Sequence, residues 1–191
     1  IPFFAINEEK CLYLKDKSCD TCRDECPEKA INLDSKATEY TKEADAVLVA
    51  AGFHPFNPED KPYGYNRFDN VVTSLDMERM LKQVGHIKKP SDDTVPEQIA
   101  FIQCVGSRDS KLNHLWCSKV CCGSAMRMAR RDKERQPEID ITVFYIDVQT
   151  FWKDFEQFYK DAREELRLIR AIPGDIYEVE EQKLKINYLD N

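Results

Sequence analysis

Glycine and histidine are both scarce in this sequence, and their scarcity argues against several kinds of site. The 191 residues include six glycines and three histidines. No two glycines are separated by a single residue, so the chain lacks the G-x-G-x-x-G loop of dinucleotide-binding domains. It also lacks a Walker phosphate loop and a G-x-S-x-G nucleophile turn, and no two histidines have H-x3-H spacing. Nucleotide hydrolysis and acyl transfer therefore have no support in the sequence.

Long apolar runs and a secretory signal are also missing. No apolar stretch approaches the length of a membrane span, so we expect no direct span and a cytoplasmic location, with any membrane association made through partners. The chain begins at Ile1 rather than at methionine. We therefore expect it to be a fragment or a processed product of a longer protein.

Positive charge is in the minority, with 28 Lys and Arg against 35 Asp and Glu and a formal net charge of -7. A nucleic-acid surface requires a clustered basic face, so we expect no nucleic-acid partner. The one dense basic run covers residues 127–135 at helical spacing, and it is interleaved with Asp132 and Glu134. This pattern favours a solvated helix face over a docking patch.

Cysteine, by contrast, is abundant, and the eight cysteines fall into two sets of four. So many cysteines in a reducing compartment indicate metal or redox chemistry, with disulfides as an alternative. The first set has the spacing C-x7-C-x2-C-x3-C and precedes Pro27; its members are Cys11, Cys19, Cys22 and Cys26. Its C-x2-C-x3-C-P ending, with Ala30 and Ile31 beyond, is similar to the ferredoxin run that ligates cubane clusters. A structural zinc site with four cysteines uses similar spacing and remains the alternative.

The second set has the less usual spacing C-x12-C-x3-C-C, formed by Cys104, Cys117, Cys121 and Cys122. The adjacent pair would point about 100° apart on a helix, so both can reach one cluster only from a helix start or a bent segment. The alternative is that Cys104 is a core residue at a strand end and that Cys122 packs inside the helix. Spacing alone leaves both interpretations open.

The pattern of elements predicts an α/β protein with three segments: a Cys-rich segment over 1–40, a strand, loop and helix over 41–95, and an α/β unit over 96–191. In the middle segment, the apolar run Ala46–Ala51 is typical of a buried strand, and Ser74 is a candidate helix cap. The last segment is predicted to contain a βαβ unit with parallel strands, which is Rossmann-like. Its elements are strands over 99–102, 141–146 and 166–170, helices over 118–135 and 154–165, and a hairpin pairing 176–179 with 184–188.

The second cysteine set lies where a dinucleotide-binding domain has its phosphate loop, between the first strand and the next helix. Here that loop has a single glycine, Gly106, and Asp109 would repel a phosphate. A cluster and a pyrophosphate are both anionic, so they should not share one helix N-terminus. We therefore expect no NAD(P) site in this unit and expect its βαβ unit to position a cluster.

The sequence Phe101-Ile-Gln-Cys-Val-Gly-Ser-Arg-Asp109, followed by Cys117-Ser-Lys-Val-Cys-Cys122, resembles the family of heterodisulfide reductase A subunits. The related flavoprotein subunits of the quinone-interacting membrane-bound oxidoreductase of sulfate reducers look alike too. The resemblance covers nearly the whole chain. It implies that the second cysteine set ligates a [4Fe–4S] cluster and that the full-length protein carries FAD in a thioredoxin-reductase-like fold.

The same resemblance identifies 41–95 as a partial flavoprotein-like segment. Gly52, Phe53 and Pro55 match the flavin-proximal turn of such proteins, although Ala51 stands where threonine is usual. Because no glycine-rich loop is present, the FAD site is incomplete in this chain.

The resulting hypothesis is a fragment of a multi-subunit oxidoreductase that relays single electrons through two [4Fe–4S] clusters, between a flavin and partner subunits. Such a fragment would not be catalytic alone. The alternative is a structural zinc-binding interaction module.

Overall fold

The computed structural model describes residues 6–36, 39–149, 153–179 and 183–189. The chain divides into two compact units, Ile1–Gly52 and Phe53–Asn191. This division differs from the three segments expected from the sequence, because the helix of the middle segment shares a core with the sheet that follows it. The functions assigned to the three segments stay predictions.

The first unit carries two short helices, α1 (Leu12–Asp16) and α2 (Thr21–Asp24). Helix α1 is followed by Lys17, whose backbone is left-handed (φ 64°) and whose N–H donates to the Tyr13 carbonyl at 3.0 Å. Among the described residues of this unit, only Tyr13 and Leu33 are buried. The unit therefore has little apolar core with which to order itself.

The apolar run Ala46–Ala51 does not form the buried strand that its composition predicts. Residues 46–51 have no strand structure, and Val47, Leu48 and Val49 are between 80 and 92% exposed. A strand is stabilised by a neighbouring strand and by burial of its faces. The described strands pair only with one another, so this run has neither source of stability.

In the second unit, helix α3 (Ser74–Gln83) begins with a capping box. The Thr73 hydroxyl accepts from the Asp76 N–H at 3.3 Å, and the Asp76 carboxylate accepts from the Thr73 N–H at 3.1 Å. The cap is therefore Thr73, one residue before the Ser74 expected from the sequence, because only Thr73 has an acidic residue three positions later that completes the box.

The predicted βαβ unit is confirmed as a small parallel sheet. Strand β1 (Gln98–Ile102), helix α4 (Cys121–Arg135) and strand β2 (Asp140–Phe144) follow in order, and β1 pairs with β2 in parallel from Gln98 opposite Asp140. Helix α5 (Phe155–Glu165) leads to β3 (Arg167–Ile169), which pairs in parallel with β2. The sheet order β1-β2-β3 places the carboxyl ends of all three strands at one edge.

The expected hairpin is also present. Strand β4 (Asp175–Glu178) pairs antiparallel with β5 (Leu184–Asn187), with Ile176 opposite Ile186. Residues 180–182, predicted to form its turn, lie outside the described residues.

The core lies between the sheet and helices α3, α4 and α5. Its buried members are Met77, Leu81, Ile87, Phe101, Ala125, Met126, Met128, Ala129, Ile139, Ile141, Val143, Ala162 and Leu166. Helix α4 contributes the largest share because small or flexible side chains follow one another along its inner face. Its packing fixes the direction in which its first residues, Cys121 and Cys122, face the end of β1.

The basic run of α4 is solvated only in part. Arg127 and Arg131 are exposed, as predicted. Arg130 forms two hydrogen bonds with Glu165 on α5, at 2.6 and 2.8 Å, and Lys133 donates to two backbone carbonyls beyond the helix. The run therefore fastens α4 to its surroundings as well as facing solvent.

Asp132 is a fully buried carboxylate on α4, and neither of its oxygens accepts a hydrogen bond of ordinary geometry. Burial raises its pKa above the usual 3.8, and the Ile87 backbone and the charges of His86 and Arg135 offset only part of this effect. A raised folded-state pKa contributes stability that is complete below 3.8 and is lost as the pH rises through the folded value. At neutral pH the charged carboxylate therefore destabilises the fold.

Asp132→Asn should accordingly raise the free energy of unfolding at pH 7 by on the order of 1 kcal/mol, because the amide cannot ionise. It should also flatten the pH dependence of stability above pH 4. Urea unfolding of the metal-free chain followed by circular dichroism measures both effects. Glu134→Gln, two residues along on the exposed side, is the control and should change stability by less than about 0.5 kcal/mol. A less stable Asp132→Asn at pH 7 would contradict the prediction.

Candidate metal centres

The second cysteine set gathers at the carboxyl edge of the parallel sheet. Cys104 follows the end of β1 by two residues, Cys117 lies in the connecting loop, and Cys121 and Cys122 are the first two residues of α4. Because both adjacent cysteines stand at a helix start, the structure meets the condition that the C-C spacing imposes. Cys122 is buried and the other three are half-buried.

The four thiols of this set are close enough to affect one another's ionisation. Burial raises the pKa of Cys104, and Cys121 and Cys117 raise it further. The Cys122 side chain donates a hydrogen bond to Cys121, and this bond is the main reason that the pKa of Cys121 is lowered to about 5. The same bond, together with burial, raises the pKa of Cys122. One thiolate, at Cys121, is therefore favoured in the metal-free chain.

Two further donors reach the sulfur atoms. The Lys119 N–H lies 3.3 Å from Cys117 Sγ, and the Ser118 hydroxyl lies 3.5 Å from Cys121 Sγ. In the parts of the chain that the structure describes, no three His, Cys, Asp or Glu side chains converge tightly enough to hold a metal ion. The ligand sets therefore stay predictions.

The loop carrying this set has an unusual backbone. Four non-glycine residues between the end of β1 and the start of α4 have left-handed φ values of 56–60°: Cys104, Arg108, Asn113 and Lys119. Each costs about 1 kcal/mol or more, so such a loop persists only where surrounding contacts hold it. Here Asp109 and His114 exchange two backbone hydrogen bonds of 2.9 Å, which close a tight turn. Backbone hydrogen bonds therefore help to hold the left-handed residues of this loop in place.

Phe56 fills the space above the single glycine of this loop. A Cβ on Gly106 would lie 2.6 Å from the Phe56 Cβ and overlap its ring. His114 Nδ1–H donates to the Gly106 carbonyl at 2.8 Å, and its ring stacks against Trp116 with centroids 4.3 Å apart. Gly106 is thus required for close aromatic packing, a long-range contact that the sequence pattern did not reveal.

Two ion pairs tie the loop to other parts of the unit. Arg108 Nη1 donates to Asp147 Oδ1 beyond β2, and Lys61 pairs with Asp109. The Cys122 thiol faces the Asp147 carbonyl at 3.9 Å. The connections after β1 and β2 are therefore joined beside the cysteines.

The first cysteine set is distributed around α1 and α2. Cys11 stands at the N-cap position of α1 without a side-chain capping bond, Cys19 precedes α2, Cys22 lies within it and Cys26 follows it. The Ala30 backbone N–H, with neighbouring N–H groups from residues 28, 29 and 31, lowers the pKa of Cys26. A cluster of backbone donors around one sulfur favours its thiolate form.

A charged network connects the two ends of this set. The Tyr13 hydroxyl donates to the Asp34 carboxylate at 2.8 Å, and Lys17 Nζ bonds to the same carboxylate at 3.0 Å. Lys17 and Arg23 both lie over the Tyr13 ring, 4.0 and 5.5 Å from its centroid. Tyr13 stands two residues after Cys11 and Asp34 eight after Cys26, so the network closes the segment that holds all four cysteines.

The three residues assigned to a flavin by resemblance are exposed. Gly52 has a left-handed backbone (φ 72°), and a Cβ there would meet nothing within 4 Å. Phe53 and Pro55 are also exposed, and the division between the two units falls between Gly52 and Phe53. Their role toward a flavin stays a prediction.

No protein-family model matches the chain. Curated relatives do match, and they are subunits of one class of oxidoreductase, the heterodisulfide reductases. The chain is 34% identical over 186 residues to the A subunit of the H(2):CoB-CoM heterodisulfide,ferredoxin reductase of Methanothermobacter marburgensis, a match that covers 93% of this chain and 28% of the relative. It is 34% identical over 187 residues to the iron-sulfur A subunit of the CoB--CoM heterodisulfide reductase of Methanocaldococcus jannaschii, covering 94% and 28%.

The A subunit of the Ferredoxin:CoB-CoM heterodisulfide reductase of Methanosarcina mazei is 40% identical over 133 residues, covering 67% of this chain and 17% of the relative. The chain belongs to the family of heterodisulfide reductase A subunits, as the sequence motifs indicated. The relatives from Methanothermobacter marburgensis and Methanocaldococcus jannaschii match most of this chain, but the chain spans only about a quarter of their length. None of the helices in the described residues is long and apolar enough to cross a membrane.

Gly106→Ala should destabilise the metal-free chain by about 1–3 kcal/mol, because the added methyl overlaps the Phe56 ring near its attachment. Gly123→Ala is the matched control. Gly123 lies inside α4, and its new methyl would meet the Phe155 ring at an ordinary van der Waals distance of 3.9 Å. It should stabilise the chain by up to about 1 kcal/mol through helix propensity. Urea unfolding under reducing conditions compares the two, and equal stabilities would contradict the predicted packing.

Tyr13→Phe should loosen the segment over the first cysteine set, because the Asp34 carboxylate loses its hydroxyl donor. Faster amide hydrogen exchange over residues 29–36 is the expected result. Tyr40→Phe, in the same unit but exposed, is the control and should leave exchange unchanged. Identical exchange in the two variants would show that the network does not close the segment.

Proposed function

We propose that this chain is a segment of an iron–sulfur oxidoreductase subunit that relays single electrons through two [4Fe–4S] clusters. The observation that supports the proposal is the position of Cys104, Cys117, Cys121 and Cys122 near one edge of the sheet, at the end of β1, in the loop that follows and at the start of α4. These cysteines span 19 positions of sequence (104 to 122), and β1, the loop and α4 bring them to the same edge.

The second cluster would be held by these four thiolates. A cluster supplies reversible one-electron transfer, and the chain's residues hold it and set its surroundings. The Lys119 N–H and the Ser118 hydroxyl would donate to ligand sulfurs, and hydrogen bonds to sulfur are one means by which a protein tunes the potential. No proton-transfer group is required for this step.

The first cluster would be held by Cys11, Cys19, Cys22 and Cys26 in a ferredoxin-like segment. Backbone donors favour the thiolate of Cys26, and the network around Tyr13 keeps both ends of the segment together. The relative from Methanocaldococcus jannaschii is named as an iron-sulfur protein, which supports iron over the structural zinc alternative.

The βαβ unit would be a Rossmann-like element of a thioredoxin-reductase-like flavoprotein, with FAD completed only in the full-length protein. Phe56 occupies the space above Gly106, where a dinucleotide domain keeps its backbone open to a pyrophosphate. This packing supports the expectation that the unit binds no NAD(P). Gly52, Phe53 and Pro55 would lie near the flavin.

The partners we propose are other subunits of a redox complex, since the relatives are named as subunits. The names of the relatives specify CoB-CoM heterodisulfide and ferredoxin as their reactants, and related electron carriers are the candidates for this chain. A cytoplasmic location stays part of the proposal.

Iron and sulfide analysis of the anaerobically purified chain should give about eight of each, roughly four per cluster. Cys22→Ser and Cys104→Ser should each remove about half of both, because each disrupts one ligand set. One zinc per set with no sulfide would overturn the proposal in favour of the structural zinc module.

A further inference from the structure

An ion pair joins the connection after β1 to the connection after β2 beside the second cysteine set. We propose that Asp147 holds the Arg108 guanidinium beside the second cysteine set. The positive charge of this guanidinium raises the reduction potential of the cluster bound there. The inference rests on the proposed function, because it requires a cluster on these cysteines. It assigns a role beside the cluster to two residues that are not among its proposed cysteine ligands.

Arg108 is fixed through both its backbone and its side chain. Its backbone is left-handed (φ 57°), its N–H donates to the Trp116 carbonyl at 3.0 Å, and its guanidinium donates to Asp147. Asp147 is itself held by the Gln149 side-chain amide at 3.2 Å. The positive charge therefore has a defined position next to the cysteine loop.

The guanidinium acts on two sulfur atoms of the set. It interacts electrostatically with Cys104 and with Cys117. Its partner Asp147 adjoins the same set, because the Asp147 backbone carbonyl lies 3.9 Å from the Cys122 sulfur. The two charges of the pair cancel overall but occupy different positions, so Arg108 and Asp147 act on the cysteine set with opposite signs.

The effect on a cluster follows from its charge. A cluster held by four thiolates becomes one unit more negative when it takes up one electron from a reductant. A nearby cation stabilises the reduced form and makes the potential more positive, whereas a carboxylate does the opposite. The side chains of Arg108 and Asp147 are 27% and 36% exposed, so water screens the effect only in part.

The test is a redox titration of the anaerobic chain with dithionite, followed by electron paramagnetic resonance, in which each cluster accepts one electron. Arg108→Gln should shift one of the two potentials to a more negative value, and Asp147→Asn should shift the same potential to a more positive one. Arg108→Lys, which keeps the charge, should stay near the parent value. Cys104→Ser identifies which signal belongs to this set.

Two controls separate a local charge effect from a general one. Arg131→Gln removes an exposed cation ten residues after Cys121 on α4 and should leave both potentials unchanged. The potential of the first cluster should remain constant in every variant. Iron content is measured in parallel, because a purely structural ion pair would cost iron in both Arg108→Gln and Asp147→Asn without opposite shifts.

Opposite shifts of one potential support the inference. Shifts in the same direction, unchanged potentials with full iron content, or a loss of iron in Arg108→Gln that Arg108→Lys does not restore would overturn it. Absence of any cluster from the parent chain would instead overturn the proposed function, so the two failures are distinguishable.

Discussion

The parallel pairing of β1 with β2 is the constraint on which the candidate site depends. It runs from Gln98 opposite Asp140 to Ile102 opposite Phe144, and the Gln103 N–H extends it to the Phe144 carbonyl at 3.0 Å. Because parallel strands end at the same edge, Cys104 and Asp147 emerge side by side, and α4 must return from that edge with its cysteines first. A register slip of one residue would turn each strand's buried side chains to the opposite face.

The elements of the second unit could be predicted because each has a local signal. Apolar β-branched runs indicated the strands, and helical periodicity with a following proline indicated α4. The run Ala46–Ala51 shows the limit of this reasoning, since composition describes what a strand can bury but not whether another strand pairs with it. The prediction of Ser74 as the cap of α3 was wrong by one residue for a related reason. The contacts that decide the cap are the reciprocal hydrogen bonds between Thr73 and Asp76.

The spacing of the cysteines in the sequence identified them as candidate ligands. It did not identify the side chains that pack around the loop that carries the second set. Phe56 meets Gly106 across 50 positions of sequence (56 to 106), and Arg108 meets Asp147 across 39. Such pairs leave no periodic pattern, and one sequence without its homologues cannot show that two distant residues depend on each other. The family motif includes Arg108 and Gly106 but does not say why they are there; the structure supplies a packing reason for the glycine and an electrostatic one for the arginine.

Both cysteine sets share one electrostatic arrangement despite their different spacings. The chain is acidic overall, with a net charge of -7, and four thiolates would add further negative charge at each set. Each unit also has a cation paired with an aspartate near its set in the chain: Lys17, two residues before Cys19, pairs with Asp34, and Arg108, four residues after Cys104, pairs with Asp147. An aspartate partner reduces the net positive charge, but it gives the cation a fixed position that a long flexible side chain in water would not keep. A fixed cation next to thiolates can act on them at a defined distance, which is the condition for tuning an electron carrier rather than merely neutralising it.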